Sequence, residues 1–153
     1  MKTKRILLAG GTGYLGAYVL QELLTQGYST RAVVRNSKKI SLQNPNLEIV
    51  EAEVTKRETL TGICNQIDLV ISTVGITRQK DGLTYMEVDY QANLNLLEEA
   101  KKSDVKKFIY VSVLNGDKLR EIKICAAKEK FVDELKKSGL EYCIIRPNGF
   151  FSD

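Results

Sequence analysis

The chain has 153 residues, long enough for one domain with a hydrophobic core, and its composition, 43% apolar and 27% charged, is that of an ordinary soluble globular protein. It contains no histidine, which excludes Ser-His-Asp and Cys-His nucleophilic chemistry and removes the commonest metal ligand. The formal charge of +4 comes from lysines spread along the chain, the pattern of a solvated surface rather than of a nucleic-acid interface.

Met1-Lys2-Thr3-Lys4-Arg5 followed by apolar residues has the charge of a secretory leader. The apolar run breaks at Gly10 and Gly11 after four residues, too short for the apolar part of one. No stretch approaches a membrane span, so no membrane partner is expected and the cytoplasm is the expected compartment. Cys64, Cys125 and Cys143 are isolated in apolar surroundings and read as buried free thiols of a reducing compartment, with no metal site among them.

Strand one is expected at about residues 5–9 and runs into Gly10-Gly11-Thr12-Gly13-Tyr14-Leu15-Gly16. A helix follows at about residues 13–26, with Leu15, Val19 and Leu23 along one face beside Leu20 and Leu24, and Gly27 as its stop. A strand that ends in a glycine turn and opens into a helix aims backbone N–H groups and the positive helix end at one point, where a pyrophosphate fits. Gly10 is assigned the turn, Gly13 the close approach of phosphate, and Gly16 the contact of helix with strand. Ala17 and Tyr18 follow the last glycine where a Walker A loop needs Lys and then Ser or Thr, so a triphosphate loop is excluded.

Strand two spans about residues 29–34, and strand three about residues 47–50 after the turn Asn44-Pro45-Asn46. Thr55 and Glu58 have the spacing of a capping box for a short helix reaching about Cys64. Strand four, about residues 67–72, is nearly all apolar and is expected to be buried on both faces. A loop with Gly75 and Gly82 leads to a long helix over about residues 83–102, and strand five covers about residues 107–113. After a turn at Asn115-Gly116-Asp117, a helix over about residues 121–138 stops at Gly139, and strand six, about residues 141–145, precedes Arg146-Pro147. This alternation predicts an α/β fold: a doubly wound parallel Rossmann sheet of about six strands between two helical layers, a single dinucleotide-binding domain over residues 1–153.

In such a sheet the end of strand two meets the adenosine ribose, and a carboxylate there suits NAD. Here the strand ends at Arg35-Asn36 with Lys38 and Lys39 beyond and no acid, which favours the 2′-phosphate of NADP; a plain surface cation is the other reading of Arg35.

Taken in order, Gly10 to Gly16, Arg31 to Arg35, Val88 to Leu97, Lys107 to Ser112, Ala127-Lys128-Glu129 and Leu140 to Phe150 resemble the atypical branch of the short-chain dehydrogenase/reductase superfamily, in particular its NmrA-like NAD(P)-binding proteins. The resemblance implies that Gly10, Thr12, Gly13, Tyr14, Leu15 and Gly16 form the pyrophosphate loop and that Arg35 meets the adenosine end. By the same resemblance Glu53 and Val54 lie beside adenine, and Thr73, Val74 and Gly75 beside the central ribose. Lys128 would contact the nicotinamide ribose, Pro147 the nicotinamide, and Ser112 and Lys128 are the candidate catalytic residues. A solvated helix lysine is the other reading of Lys128.

Active relatives carry a tyrosine acid four residues before that lysine, and Ile124 stands there. Tyr85, Tyr90 and Tyr110 read as packing aromatics rather than as substitutes. Relatives also continue past the Arg-Pro-x-Gly-Phe segment into a substrate-binding part that is missing here, which implies an N-terminal fragment or a site completed by another subunit, with Gly149-Phe150-Phe151 as apolar surface. The expected function is an NADP-dependent oxidoreductase acting on a small molecule. A non-catalytic NADP-sensing regulatory module is the alternative, and a sugar-nucleotide epimerase or dehydratase, which also needs the tyrosine, is a further one.

Overall fold

Leu7, Leu8 and Ala9 are wholly shielded from solvent, which makes β1 (Arg5–Ala9) the centre of the molecule. In the computed structural model, which describes residues 4–76 and 82–149, β2 (Ser29–Val34) and β3 (Leu47–Glu51) extend the sheet on one side. β4 (Leu69–Ser72), β5 (Lys107–Val111) and β6 (Glu141–Ile145) extend it on the other, in the order β3-β2-β1-β4-β5-β6. All five pairings are parallel, so every connection crosses over the sheet, and the winding reverses between β1 and β4. In doubly wound sheets that reversal opens a crevice at the carboxyl ends of the strands.

The register sorts the core into two faces. Ile49, Ala32, Leu8, Ile71, Ile109 and Cys143 form one row across the sheet, covered at Leu8 and Ala32 by Leu20 and Leu24 of α1 (Tyr14–Thr25). The adjacent row, Val50, Val33, Ala9, Ser72, Tyr110 and Ile144, faces α2 (Asn93–Lys102) and α3 (Lys123–Lys137). Phe131 of α3 packs there against Phe108 and Tyr110, with ring centroids 5.7 and 4.6 Å away.

Several expectations need correction. Gly16, Leu20 and Leu24 are the buried stripe of α1, while Leu15, Val19 and Leu23 are half-buried, because the sheet meets the helix through its glycine. Thr55 and Glu58 make no capping box: the Thr55 hydroxyl donates to Glu53, Thr59 takes the backbone N–H of Glu53, and only a short 3-10 turn forms at Arg57–Leu60. β4 is shorter than expected and is not buried on both faces, since Leu69 and Ile71 point to the face that α1 covers incompletely. β5 ends at Val111. The expected long helix is wound in two forms, a wide π-helix over Met86–Ala92 and then α2. Phe150 and Phe151 lie outside the described residues.

Cys64 and Cys125 are buried, but Cys143 is exposed on the edge strand. Burial, with the Glu99 charge behind it, pushes the Cys64 thiol up to about 12. Ellman's reagent at pH 8 is therefore expected to titrate Cys143 quickly and Cys64 only after unfolding. Phe131→Ala, which empties the centre of the α3 face, should cost about 3–5 kcal/mol in urea unfolding, whereas Tyr142→Ala on the exposed edge should stay within about 0.5 kcal/mol.

Candidate functional site

Gly10 leaves β1 at φ +91°, a conformation that residues with a side chain rarely adopt. Its carbonyl accepts from Gly13 N–H at 3.0 Å, and the Gly13 carbonyl accepts from Ala17 N–H at 2.9 Å to start α1. A side-chain carbon on Gly16 would lie 1.8 Å from the Gly10 oxygen, so the first turn of α1 rests directly on the end of β1. The Thr73 hydroxyl, from the end of β4, sits against the Ala9 and Gly10 carbonyls at 3.3 and 3.2 Å and closes the turn from the other side. Gly13 caps α1 without a side-chain acceptor, which leaves the first N–H groups of the helix available to an anion.

A cleft of about 320 Å³ opens above this turn, within the range of small-molecule sites. Gly10, Thr12 and Gly13 line it from the glycine loop, and Thr73, Val74 and Gly75 from the end of β4. Glu53 and Val54 line it beyond β3, and Arg35 lines its rim as an exposed side chain. Val33, Val34, Ala52, Ile76, Leu83 and Val88 supply apolar wall, a role that the sequence reading assigned to none of them. Thr55 completes it by tying down Glu53. Tyr14, Leu15 and Gly16 lie beside the cleft on α1; Tyr14 is 48% exposed and packs edge-on against Tyr18, and Gly16 is buried as support. Past Arg35, the Ser37 hydroxyl and backbone N–H hold the Glu51 carboxyl below its ordinary range, and the backbone contact measures 2.8 Å.

Ser112, Lys128 and Pro147 stand outside the cleft lining. Lys128 is not a solvated helix lysine: its side chain is 11% exposed and its ammonium lies 2.8 Å from Asp89, which is wholly buried. A methyl group on Gly75 would lie 2.7 Å from that ammonium, so Lys128 backs the cleft wall. The Ser112 hydroxyl donates to Glu129 at 3.1 Å, and the other oxygen of Glu129 pairs with Arg146. Pro147 follows Arg146 and accepts from Leu114 N–H at 3.0 Å, joining the loop after β5 to the end of β6.

Tyr110 lies amid these charges with its ring packed on Phe131, wholly buried, and its hydroxyl has no hydrogen-bond partner among the described residues. Burial, with Asp89 and Glu129 adding to it, lifts its phenol well above the ordinary value, so Tyr110 holds its proton too tightly to serve as an acid. Tyr85 and Tyr90 are half-buried on the helix beyond the cleft, and Ile124 is half-buried at the start of α3. Asp89, Glu129 and Arg146 are the charged residues that sequence reasoning missed; for Asp89 and Glu129 the signal was a charge falling on a buried helical stripe beside residues already singled out. Among the described residues no cluster of acids and cysteines could hold a metal ion, and no helix is long and apolar enough to cross a membrane.

Residues 10–153 match the family model described as NAD(P)H-binding. The chain belongs to this family. Within it, the NmrA-like, atypical short-chain dehydrogenase type accounts for the glycine loop and the strand order. The photosystem II assembly factor Ycf39 of Synechocystis sp. (strain ATCC 27184 / PCC 6803 / Kazusa) is 34% identical over 152 residues, covering 95% of this chain and 45% of its own. The chain thus spans about half the length of that relative. Among solved structures, a candidate NAD-dependent epimerase/dehydratase from Bacillus halodurans superposes with a TM-score of 0.82 at 26% identity, covering 98% of this chain and 72% of the other. The oxidoreductase ylbE from Lactococcus lactis gives 0.79 at 25% identity, over 97% and 71%.

Two glycines separate folding from binding in this NAD(P)H-binding domain. Gly16→Ala has no room for its methyl group and should cost about 3 kcal/mol of stability, seen in denaturant melts with or without cofactor. Gly13→Ala meets only the Gly10 oxygen, at 3.4 Å, at an ordinary φ of −77°. It should fold within about 1 kcal/mol of the parent yet lose most dinucleotide affinity in a fluorescence titration, the result expected if the cleft that Gly13 lines at the start of α1 receives the phosphates.

Proposed function

We propose that the chain is the NADP-binding part of an oxidoreductase whose acceptors take up their proton without a tyrosine donor. The observation that carries this reading is one cleft with a glycine cradle at its base, Arg35 at its rim and no carboxylate closing β2. A guanidinium there recognises a 2′-phosphate through paired charge-assisted hydrogen bonds, and no acid at the strand end repels it. Bound nicotinamide supplies the hydride chemistry. Around it, Lys128 offers donors to the ribose, and Pro147 forms an apolar surface for the ring.

The acceptor class follows from what the residues cannot do. Ile124 carries no proton, Tyr110 is buried with a raised phenol, and Ser112 already donates its proton to Glu129. Simple ketones, which need an acid at the carbonyl oxygen, fit this site poorly. Quinones, flavins and activated double bonds, protonated from solvent, fit better. The same residues support a second reading, a dinucleotide-sensing module that acts through a partner, and the assembly-factor name of the Ycf39 relative agrees with it. A sugar-nucleotide epimerase lacks its tyrosine here.

NADPH oxidation by the full-length protein, screened across quinones, flavins and enones, separates the two readings: turnover with any acceptor supports the enzyme. No turnover together with equal affinity for oxidised and reduced cofactor supports the sensing module. For cofactor choice, NADPH at a hundredfold excess over Kd should stabilise by about 2.7 kcal/mol, a rise in Tm of about 5–10 °C for a domain of this size. NADH at the same concentration should give less, and Arg35→Ala should bring the two together. A larger shift with NADH would overturn the 2′-phosphate assignment.

A further inference from the structure

Asp89 has no part in the reading above, yet it is wholly buried, and a buried carboxylate needs partners that replace its hydration. Its two oxygens serve two walls of the cleft. Oδ2 accepts from the backbone N–H of Ile76 at 3.2 Å, where the chain lines the cleft beyond β4. Oδ1 faces the Lys128 ammonium at 2.8 Å. A methyl group on Gly75 would lie 2.7 Å from both Asp89 Oδ1 and Lys128 Nζ, so the ion pair presses on the cleft wall at a position that only glycine leaves open.

The backbone that carries Asp89 is itself unusual. Met86–Ala92 is a π-helix, a rare winding that is frequently found at functional sites. Asn93 holds the turn in place: its amide donates to the Asp89 carbonyl at 3.0 Å and to the Val74 carbonyl at 3.2 Å, and its oxygen accepts from Ser72. A continuous polar chain therefore runs from β4 through Asn93 and Asp89 to Lys128 on α3.

We propose that Asp89 is the positioning residue of the nicotinamide-ribose half of the cleft, holding the Lys128 ammonium against Gly75 and tying it to the segment after β4. The inference rests on the dinucleotide reading above, with Lys128 as a ribose contact. An ammonium has three donors, and an ion pair with a single carboxylate oxygen leaves donors for a pair of vicinal hydroxyls. Without the carboxylate the flexible lysine stem has no fixed geometry, so the ribose half of the site is lost while the adenosine half stays intact.

Asp89→Asn keeps the size and an acceptor for Ile76 but removes the charge. Two probes separate the halves of the cleft: NADPH, and adenosine 2′,5′-bisphosphate, which has no nicotinamide ribose. Asp89→Asn should weaken NADPH about tenfold, the size of one charge-assisted hydrogen bond, and leave the bisphosphate within about twofold. The fluorescence gain of bound NADPH, which reports the nicotinamide surroundings, should fall with it. In a Lys128→Met background the same change should add less than about twofold, since Asp89 acts through that lysine.

Equal losses for both probes, or an undiminished loss on top of Lys128→Met, would overturn the proposal in favour of a purely structural role. Gly75→Ala serves if Asp89→Asn does not fold: its methyl group displaces the pair and should produce the same selective loss, and unchanged NADPH affinity would sink the idea. If the parent protein binds the bisphosphate but neither NADPH nor NADH, the dinucleotide reading falls and this inference with it. If the parent binds NADPH and Asp89→Asn matches it, this inference alone falls.

Discussion

The carbonyl oxygen of Gly10 occupies the space that a side chain at position 16 would need, and the site depends on that contact. It brings the start of α1 onto the end of β1, closer than any residue with a β-carbon allows. The approach fixes the helix over the sheet so that Leu20 and Leu24 meet Leu8 and Ala32. The same approach turns the uncapped N–H groups of the first turn toward the crevice where the winding reverses. Thr73 holds the arrangement from β4, so the cradle is shared between the two strands that flank the reversal.

The opposite end of the site is organised by charge. Asp89 with Lys128, and Glu129 with Arg146, are ion pairs in which the carboxylate is wholly shielded, and both carboxylates add to the raised phenol of Tyr110. Such pairs contribute little net stability against apolar replacements of equal size, but removing one partner is costly because the other is left charged and dry. The Ser112 proton is turned to Glu129 and the Tyr110 phenol is raised, so neither hydroxyl is a ready proton donor.

How much of this was legible follows from which residues carry it. β1, β2 and β6 fall where the apolar runs and their breakers put them, and the glycine loop with its flanking strand and helix was read with its ligand class. Arg35 was visible because a strand end before a loop is a local feature. Asp89 was passed over because a carboxylate reads as solvent-facing by residue type, although its spacing from Asn93, Leu96 and Ala100 puts it on the buried face, and its partners Ile76 and Lys128 lie on other elements. Glu129 escaped notice for a related reason: its partners are at the end of β5 and beyond β6. Thr55 and Glu58 had the right spacing for a cap, but the Thr55 hydroxyl is taken by the Glu53 carboxylate. Cys143 sits in an apolar run whose strand happens to be an edge, which only the strand order reveals.

The row of residues from Ala32 and Leu8, wholly buried, to half-buried Ile71 and Ile109 and exposed Cys143 is a gradient of cover across one sheet. Amides of a shielded central strand such as β1 are expected to open only with the whole domain, and those of an edge strand such as β6 through smaller fluctuations. The glycine cradle is therefore built on a central, fully shielded strand, and Arg146 and Pro147 follow an edge strand. A ligand long enough to bridge both finds one half preorganised and must order the other, so its affinity carries an entropic cost that a ligand confined to the cradle does not meet.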